Sequence, residues 1–414
     1  MGFVDPSIAI VVSLCLLILL LYKRVNLGIT LNLTALIMAL LALSWQEIPN
    51  VIFRTTVDLL TVSVVLATFA IMWLSQLYKE TGVMNRMSEN LSRIIKNPKI
   101  VLSVLPAVIG FLPVAGGALM SAPLVDSEAQ KLKLKPDRKA YVNLWFRHTI
   151  FPVYPLSQVL IVAALLAGTT VPTIIMRQIP AVAVMVIMGY IIGFWKTPNP
   201  NTEENQRTKS ELNSDLKKFL VAFSPILISI IVVIVLSLVG LNLSKLGLDV
   251  LIATLVGLAT LTVISKPNRQ VFTKPLKNWG IYGITLATYG AFLLGSVVKA
   301  PEISGIFKPL AANGNVDSTV LLIVVPAALG VLTASALGGV SISIPLLGGI
   351  MTLTPRMASL IYMSAYLGYV VSPTHLCFAF TADYFKCSLG KIYKYVIPSV
   401  LATFAAVLLV YFLV

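Results

Sequence analysis

Charge is scarce in this chain. Asp, Glu, Lys and Arg make up 11% of the 414 residues, against 57% hydrophobic, whereas soluble globules carry roughly a quarter charged residues. That shortage excludes a protein whose surface is mainly hydrated, so lipid must solvate most of it. Acids are scarcer still, with 16 Asp and Glu against 31 Lys and Arg, for a net charge of +15. The basic residues fall between apolar runs and form no single patch, which sets topology and argues against a nucleic-acid partner. Only three cysteines occur, Cys15, Cys377 and Cys387, without metal-ligand spacing, so they read as structural and no metal site is expected. His-Glu-x-x-His, Gly-x-Gly-Asp and a Ser/His pairing are all missing, which excludes a membrane hydrolase. No enzyme and no cofactor are expected. A basic n-region is absent too: Lys23 and Arg24 follow the first apolar run, the order of a retained helix with its N-terminus outside.

What is present is a series of apolar segments long enough to span a bilayer, at about 20 residues each. Five lie in the first half, at 4–22, 27–45, 57–78, 140–167 and 173–195, and five in the second, at 218–240, 247–265, 279–299, 356–383 and 392–413. Two more apolar stretches, 100–125 and 318–350, are dense in Gly, Pro and Ser. A polar, mixed-charge linker, 196–217, divides residues 1–195 from 218–414.

The halves look duplicated. Leu66-Ala67-Thr68-Phe69 returns as Leu286-Ala287-Thr288-Tyr289, and Pro106 to Gly110 returns as Pro326 to Gly330. Pro152 matches Pro373, and Ile179-Pro180 matches Ile397-Pro398, in the same order. If 100–125 and 318–350 enter and leave on one side, each half crosses five times and the second is inverted. The loops then assigned to the cytoplasm hold 24 of the 31 basic residues and the outer loops six, with Arg147 inside a helix. This bias supports non-crossing hairpins. The expected fold is an all-α polytopic membrane protein of two inverted repeats, each with five transmembrane helices and a re-entrant helical hairpin. Both termini are expected to lie outside a plasma membrane.

Candidate chemistry falls at two kinds of place. The hairpins carry Pro113, Gly116, Gly117 and Ser121 in one half, and Thr333, Ser335, Gly338, Gly339, Ser341 and Ser343 in the other. Their Gly-Gly pairs suit chain reversal at a tip, and opposed tips expose helix N-termini and free carbonyls to substrate and ion; close packing through small residues is the alternative. Each hairpin is followed by a proline-broken helix. One carries Arg147, His148, Thr149, Pro152, Ser157 and Gln158; the other carries Ser372, Pro373, Thr374 and His375. Proline removes a donor and frees a carbonyl, and polar groups at that depth mark function by default. For Arg147 snorkelling to the headgroups stays open. Span centres hold no carboxylate, so Arg147, the two histidines and the half-helix N-termini suit an anionic substrate. The glycines, Ser121, Ser335, Ser341, Ser343, Arg147, His148, Thr149, Thr374 and His375 are substrate candidates. Pro113, Pro152, Ser157, Gln158, Thr333, Ser372 and Pro373 are candidates for a coupling ion, H⁺ or Na⁺.

The run Pro113-Val-Ala-Gly-Gly-Ala-Leu-Met-Ser-Ala-Pro-Leu-Val-Asp126, followed by Trp145-Phe-Arg-His148, resembles the prokaryotic membrane family called domain of unknown function 401. That family is similar to the ion transporter superfamily, with its gluconate permeases and citrate and dicarboxylate carriers. The resemblance implies paired hairpins, a homodimer, symport and elevator movement of a transport domain against a scaffold. The Ser-Asn-Thr tip signature of the sodium-coupled dicarboxylate branch is absent. The expected function is secondary transport of a small organic anion; a channel and a flippase for a lipid-linked substrate are the alternatives.

Overall fold

The computed structural model describes residues 3–112, 117–197, 209–239, 243–312 and 318–413. They are helical, with no strand among them. The first half gives α1 (Pro6–Tyr22), α2 (Leu27–Ala42), α3 (Glu47–Val57), α4 (Leu59–Glu80) and α5 (Val83–Ile94). It continues with α6 (Pro98–Gly110), α7 (Gly117–Lys131), α8 (Pro136–His148), α9 (Gln158–Leu166) and α10 (Val171–Phe194). The second gives α11 (Lys209–Leu238), α12 (Leu248–Ser265), α13 (Arg269–Thr273), α14 (Trp279–Val298) and α15 (Pro301–Ala312). After them come α16 (Ser318–Thr333), α17 (Ala336–Ile350), α18 (Pro355–Val371), α19 (Leu376–Tyr384) and α20 (Leu389–Leu413).

Local chemistry explains many of these boundaries. Asp5, Asn26, Asp58, Asn97, Asn278, Ser335 and Thr354 each accept a backbone N–H at a helix start, satisfying one of the donors a first turn leaves free. The expected spans 140–167 and 356–383 each divide in two, as α8/α9 and α18/α19, where prolines interrupt the backbone ladder. Residues 151–153 form a 3₁₀ turn in the first break. Seven helical stretches, counting Pro136–Leu166 as one, are long and apolar enough to cross a membrane. The stretches α3, α5 and α15 lie where the sequence reading has loops. α5 explains why such segments form helices: Val83, Met84, Met87 and Leu91 make a buried stripe that packs on α5's neighbours, while polar residues cover the other face. α11 also starts inside the expected linker; residues 198–208 of that linker lie outside the described residues.

Packing cuts across the order of the chain. Helices α1–α5 pack with α11–α15 as one bundle, and α6–α10 with α16–α20 as a second. In the first bundle α2 lies on α14, because Gly28 and Gly290 carry no side chain. A Cβ at Gly28 would meet the Gly283 carbonyl oxygen at 2.6 Å, and one at Gly290 would meet Leu31 Cβ at 2.8 Å. Asn32 uses that approach to donate to the Leu286 carbonyl oxygen at 2.9 Å. Where α4 meets α14, Thr288 donates to Thr68 at 3.4 Å, and these two threonines are equivalent in the Leu-Ala-Thr repeats.

The second bundle contains two short helix pairs, α6/α7 and α16/α17. Their members run from 13 to 16 residues, roughly 20–24 Å at 1.5 Å per residue. Between the bundles lies a cavity of about 720 Å³, bounded by α3, α4, α14 and α15 on one side and by α9 and α17 on the other. It is lined by five ionisable residues, Glu47, Arg54, Asp58, Lys299 and Glu302, and its volume is in the range of small-molecule sites, about 300–1,000 Å³.

Candidate functional site

Arg147, in the last turn of α8, is 2% exposed. Its Nη2–H donates to the Leu112 carbonyl oxygen at 3.3 Å, while Nε and Nη1 have no hydrogen-bond partner. The guanidinium lies on Gly117 at the start of α7. A Cβ there would sit 2.5 Å from Cζ and 2.9 Å from Nη1. The side chain therefore points inward, across the α7 N-terminus, and does not reach for the headgroups. The backbone of the same residue is close-packed as well, since a Cβ on Gly110 would meet the Arg147 carbonyl oxygen at 2.6 Å. Among the described residues no acid pairs with Arg147. The nearest turns of the bundle keep their acids for other bases: Asp126 holds Lys139 at 2.6 Å, and Asp137 holds Lys394 at 2.6 Å.

The other half builds the same backbone arrangement without the charge. Gly330 lies against the Ala365 carbonyl as Gly110 lies against that of Arg147, and a Cβ on Gly339 would meet Ala365 Cβ at 2.9 Å. Ala365 thus occupies the place that Arg147 holds. The guanidinium is one-sided, and the backbone scaffold under it is two-sided.

The second tip corrects one part of the sequence reading. Reversal falls at Ala334, with φ +48°, and not at Gly338-Gly339, which lie in the first turn of α17. The glycines are needed for close approach. A Cβ on Gly338 would meet Thr333 Oγ1 at 2.7 Å. Thr333 Oγ1–H faces the carbonyls of Leu329 and Ser335 at 2.7 and 2.9 Å, and Ser335 accepts from the Gly338 N–H at 3.2 Å. Ser372 ties this tip to the second break by donating to the Val331 carbonyl oxygen at 2.7 Å, and it contacts Thr374 at 3.2 Å. Pro373 and Thr374 are exposed.

His148 and His375 meet, with ring centroids 4.9 Å apart and edge to face. His148 Nδ1–H donates to the Leu144 carbonyl oxygen at 2.6 Å, and Nε2 is 3.4 Å from the Tyr369 hydroxyl. His375 stacks on Tyr369 at 4.0 Å, and neither of its ring nitrogens makes a hydrogen bond of normal geometry. Tyr366 Oη–H donates to the His148 carbonyl oxygen at 2.5 Å.

The remaining candidates divide clearly. Ser157 Oγ, Gln158 Nε2 and Ser341 Oγ are buried without a hydrogen bond of normal geometry. Thr149, Ser121 and Ser343 are committed to backbone carbonyls of their own helices. Ser121 also donates to Asn143 Oδ1 at 2.5 Å. Pro152 is buried in the first break, while Pro113 and Gly116 lie outside the described residues. No hydrogen bond among the described residues joins the second tip to Arg147.

Sequence reading missed Asn143, Tyr366 and Tyr369. A signal existed for the tyrosines: Tyr362, Tyr366 and Tyr369 recur at helical spacing on one face of α18. For Asn143 the only cue was an amide in the apolar segment 140–167.

Residues 6–414 match the family described as "Protein of unknown function (DUF401)", and the chain belongs to that family. No curated protein matches it.

Proposed function

We propose that this family member is a secondary transporter of a small organic anion, with Arg147 as the residue that holds the anion. The observation that carries this reading is a buried guanidinium with no acidic partner among the described residues. Removing an ion from water costs several kcal/mol even after relaxation, and an arginine fork fits a carboxylate with two parallel hydrogen bonds. Nε and Nη1 are without partners, and the adjoining α7 N-terminus adds its partial positive charge. An anion would supply what the fold leaves out.

In this reading α6/α7 and α16/α17 are re-entrant hairpins. Their lengths suit that role, because each member falls short of the roughly 30 Å hydrocarbon core. The ten-helix order repeated in both halves, and the Thr68–Thr288 contact, support an inverted duplication. The bundle of α6–α10 and α16–α20 is then the moving domain, and the cavity against α3, α4, α14 and α15 marks a surface where the bundles part. Elevator motion would slide one against the other.

Topology gives a first test. In a chain with its three native cysteines replaced, a cysteine at Glu89 is expected to react only from the cytoplasm and one at Gly305 only from outside. Reaction of both from one side would remove the inverted arrangement.

The site itself is tested by Gly117→Ala. The backbone at Gly117 is helical, so alanine is accepted there and favours the helix by roughly 1 kcal/mol. Its methyl group, however, takes the place of the guanidinium. The variant is expected to fold with unchanged or higher melting temperature and to lose at least ~10-fold in anion affinity, about 1.4 kcal/mol. Melting shifts across a panel of organic anions identify the ligand, and uptake into proteoliposomes then measures transport. Equal shifts in wild type, Gly117→Ala and Arg147→Gln would remove Arg147 from the site.

A further inference from the structure

Two histidines and a cysteine from different parts of the chain converge beside the anion site. His148 ends α8, His375 caps α19 and Cys377 lies in the first turn of α19. One ligand atom from each lies within 4.8 Å of the others, and all three residues are buried. The anion reading does not use Cys377 at all.

The surroundings of the histidines suit a metal ligand. His148 donates its Nδ1–H to a backbone carbonyl, which fixes the tautomer and leaves a lone pair on Nε2, the usual supporting contact of a ligating imidazole. His375 is 2% exposed and has no hydrogen bond of normal geometry on either nitrogen. A buried polar ring without a well-formed hydrogen bond is a cost that a ligand would remove. Cys377 adds a soft sulfur, whose charge as a thiolate would fall in the first turn of a helix, where the dipole favours an anion.

The charge around the cluster selects the ion. Among the described residues no carboxylate is hydrogen-bonded or ion-paired to any of the three, and Arg147, the neighbour of His148, has no ion pair. A divalent metal on one thiolate would leave a net positive charge near that guanidinium in a low-dielectric interior. A monovalent metal on one thiolate and two neutral imidazoles leaves none. Thiolate and imidazole are also the donors that suit Cu(I).

We propose that His148, His375 and Cys377 form a binding site for a soft monovalent metal ion, Cu(I) or its redox-inert counterpart Ag(I). The Cys377 S–H bond breaks, a metal–sulfur bond forms, and the proton leaves to solvent, with no electron transferred. The Tyr369 hydroxyl gives up its long contact with His148 Nε2. The proposal is independent of the anion reading: Arg147→Gln is expected to retain the metal.

The test uses full-length protein in detergent, with Cys15→Ser and Cys387→Ser to remove the other thiols. Anaerobic competition against a Cu(I) chelator is expected to give one ion per chain. Cys377→Ser and His375→Gln are each expected to weaken binding by more than about 100-fold, beyond the 10–100-fold typical of losing a supporting group. Zn(II) is expected to bind far more weakly. X-ray absorption of the Cu(I) or Ag(I) form, which needs no further variant, is expected to show one sulfur and two nitrogens around the metal. Unchanged affinity in both variants, Zn(II) binding as tight as Cu(I), or a shell without nitrogen would each overturn the site.

Discussion

Arg147→Met is expected to give a protein that melts at a higher temperature than wild type in the absence of ligand and transports nothing. The guanidinium is interior, and among the described residues it makes one hydrogen bond, to the Leu112 carbonyl. Methionine is unbranched and flexible enough to fill the same channel over Gly117. Replacing buried charge with well-packed apolar groups is often stabilising, by about 1–4 kcal/mol, and here no acid is left behind unpaired. The same change deletes the buried cation at the α7 N-terminus. Melting curves with and without the anion separate the two effects: a raised baseline and an abolished ligand shift. A structural arginine would give the opposite baseline, a fall in melting temperature, because the Leu112 carbonyl would lose its donor. Arg147→Lys is expected to lie between the two, keeping charge and losing the fork.

Gly330→Ala is expected to be the most damaging small substitution in the second bundle. Its added methyl would press on the Ala365 carbonyl, with the Ala365 carbonyl carbon and the Tyr369 nitrogen both at 3.0 Å. These are backbone atoms of α18, so no side-chain rotation relieves the overlap and α16 must move off its neighbour. Overpacking of this kind costs about 1–3 kcal/mol. Tyr369 and Ala365 would shift with the helix, so the histidine cluster and the second tip are disturbed together. Gly390→Ala is the control: nothing lies within 4 Å of a Cβ there, and helix propensity favours alanine by roughly 1 kcal/mol. Yield of folded protein and melting temperature measure both. Equal behaviour of the two variants would mean that the α16–α18 contact tolerates separation.

Much of this fold is written in local sequence. Apolar runs and the polar gaps between them locate the long helices to within a few residues at most ends, and Pro152, Pro155 and Pro373 announce where two of them break. The connectors are less legible, because α3, α5 and α15 are short and mixed in polarity. Gly338-Gly339 shows a different limit. Composition marks a place that tolerates no side chain, but cannot tell a reversal from a close approach; that depends on what faces the glycine. The site residues divide the same way. Arg147 is conspicuous as the lone charge in the apolar run 140–167, whereas the meeting of Cys377 with His148 depends on α8 and α19 being neighbours. No property of either segment alone encodes that. The one-sidedness of the guanidinium is likewise visible only once Ala365 is seen in the matching position.

The interleaving of the bundles has a consequence for how the chain is made. Each bundle draws five helices from each half, so neither can close while only the first half exists. Asn32 finds its Leu286 carbonyl partner 254 residues later. At 5–20 residues per second, ribosomes need roughly 10–50 s to supply that stretch. For that time α2 sits in the bilayer with its carboxamide acceptor unmade and its glycine groove open to lipid or to insertion machinery. The first-half helices must therefore be stable as separate spans, and tertiary assembly waits on the last third of translation. Premature termination would release inserted helices with mating surfaces exposed, a natural substrate for membrane quality control.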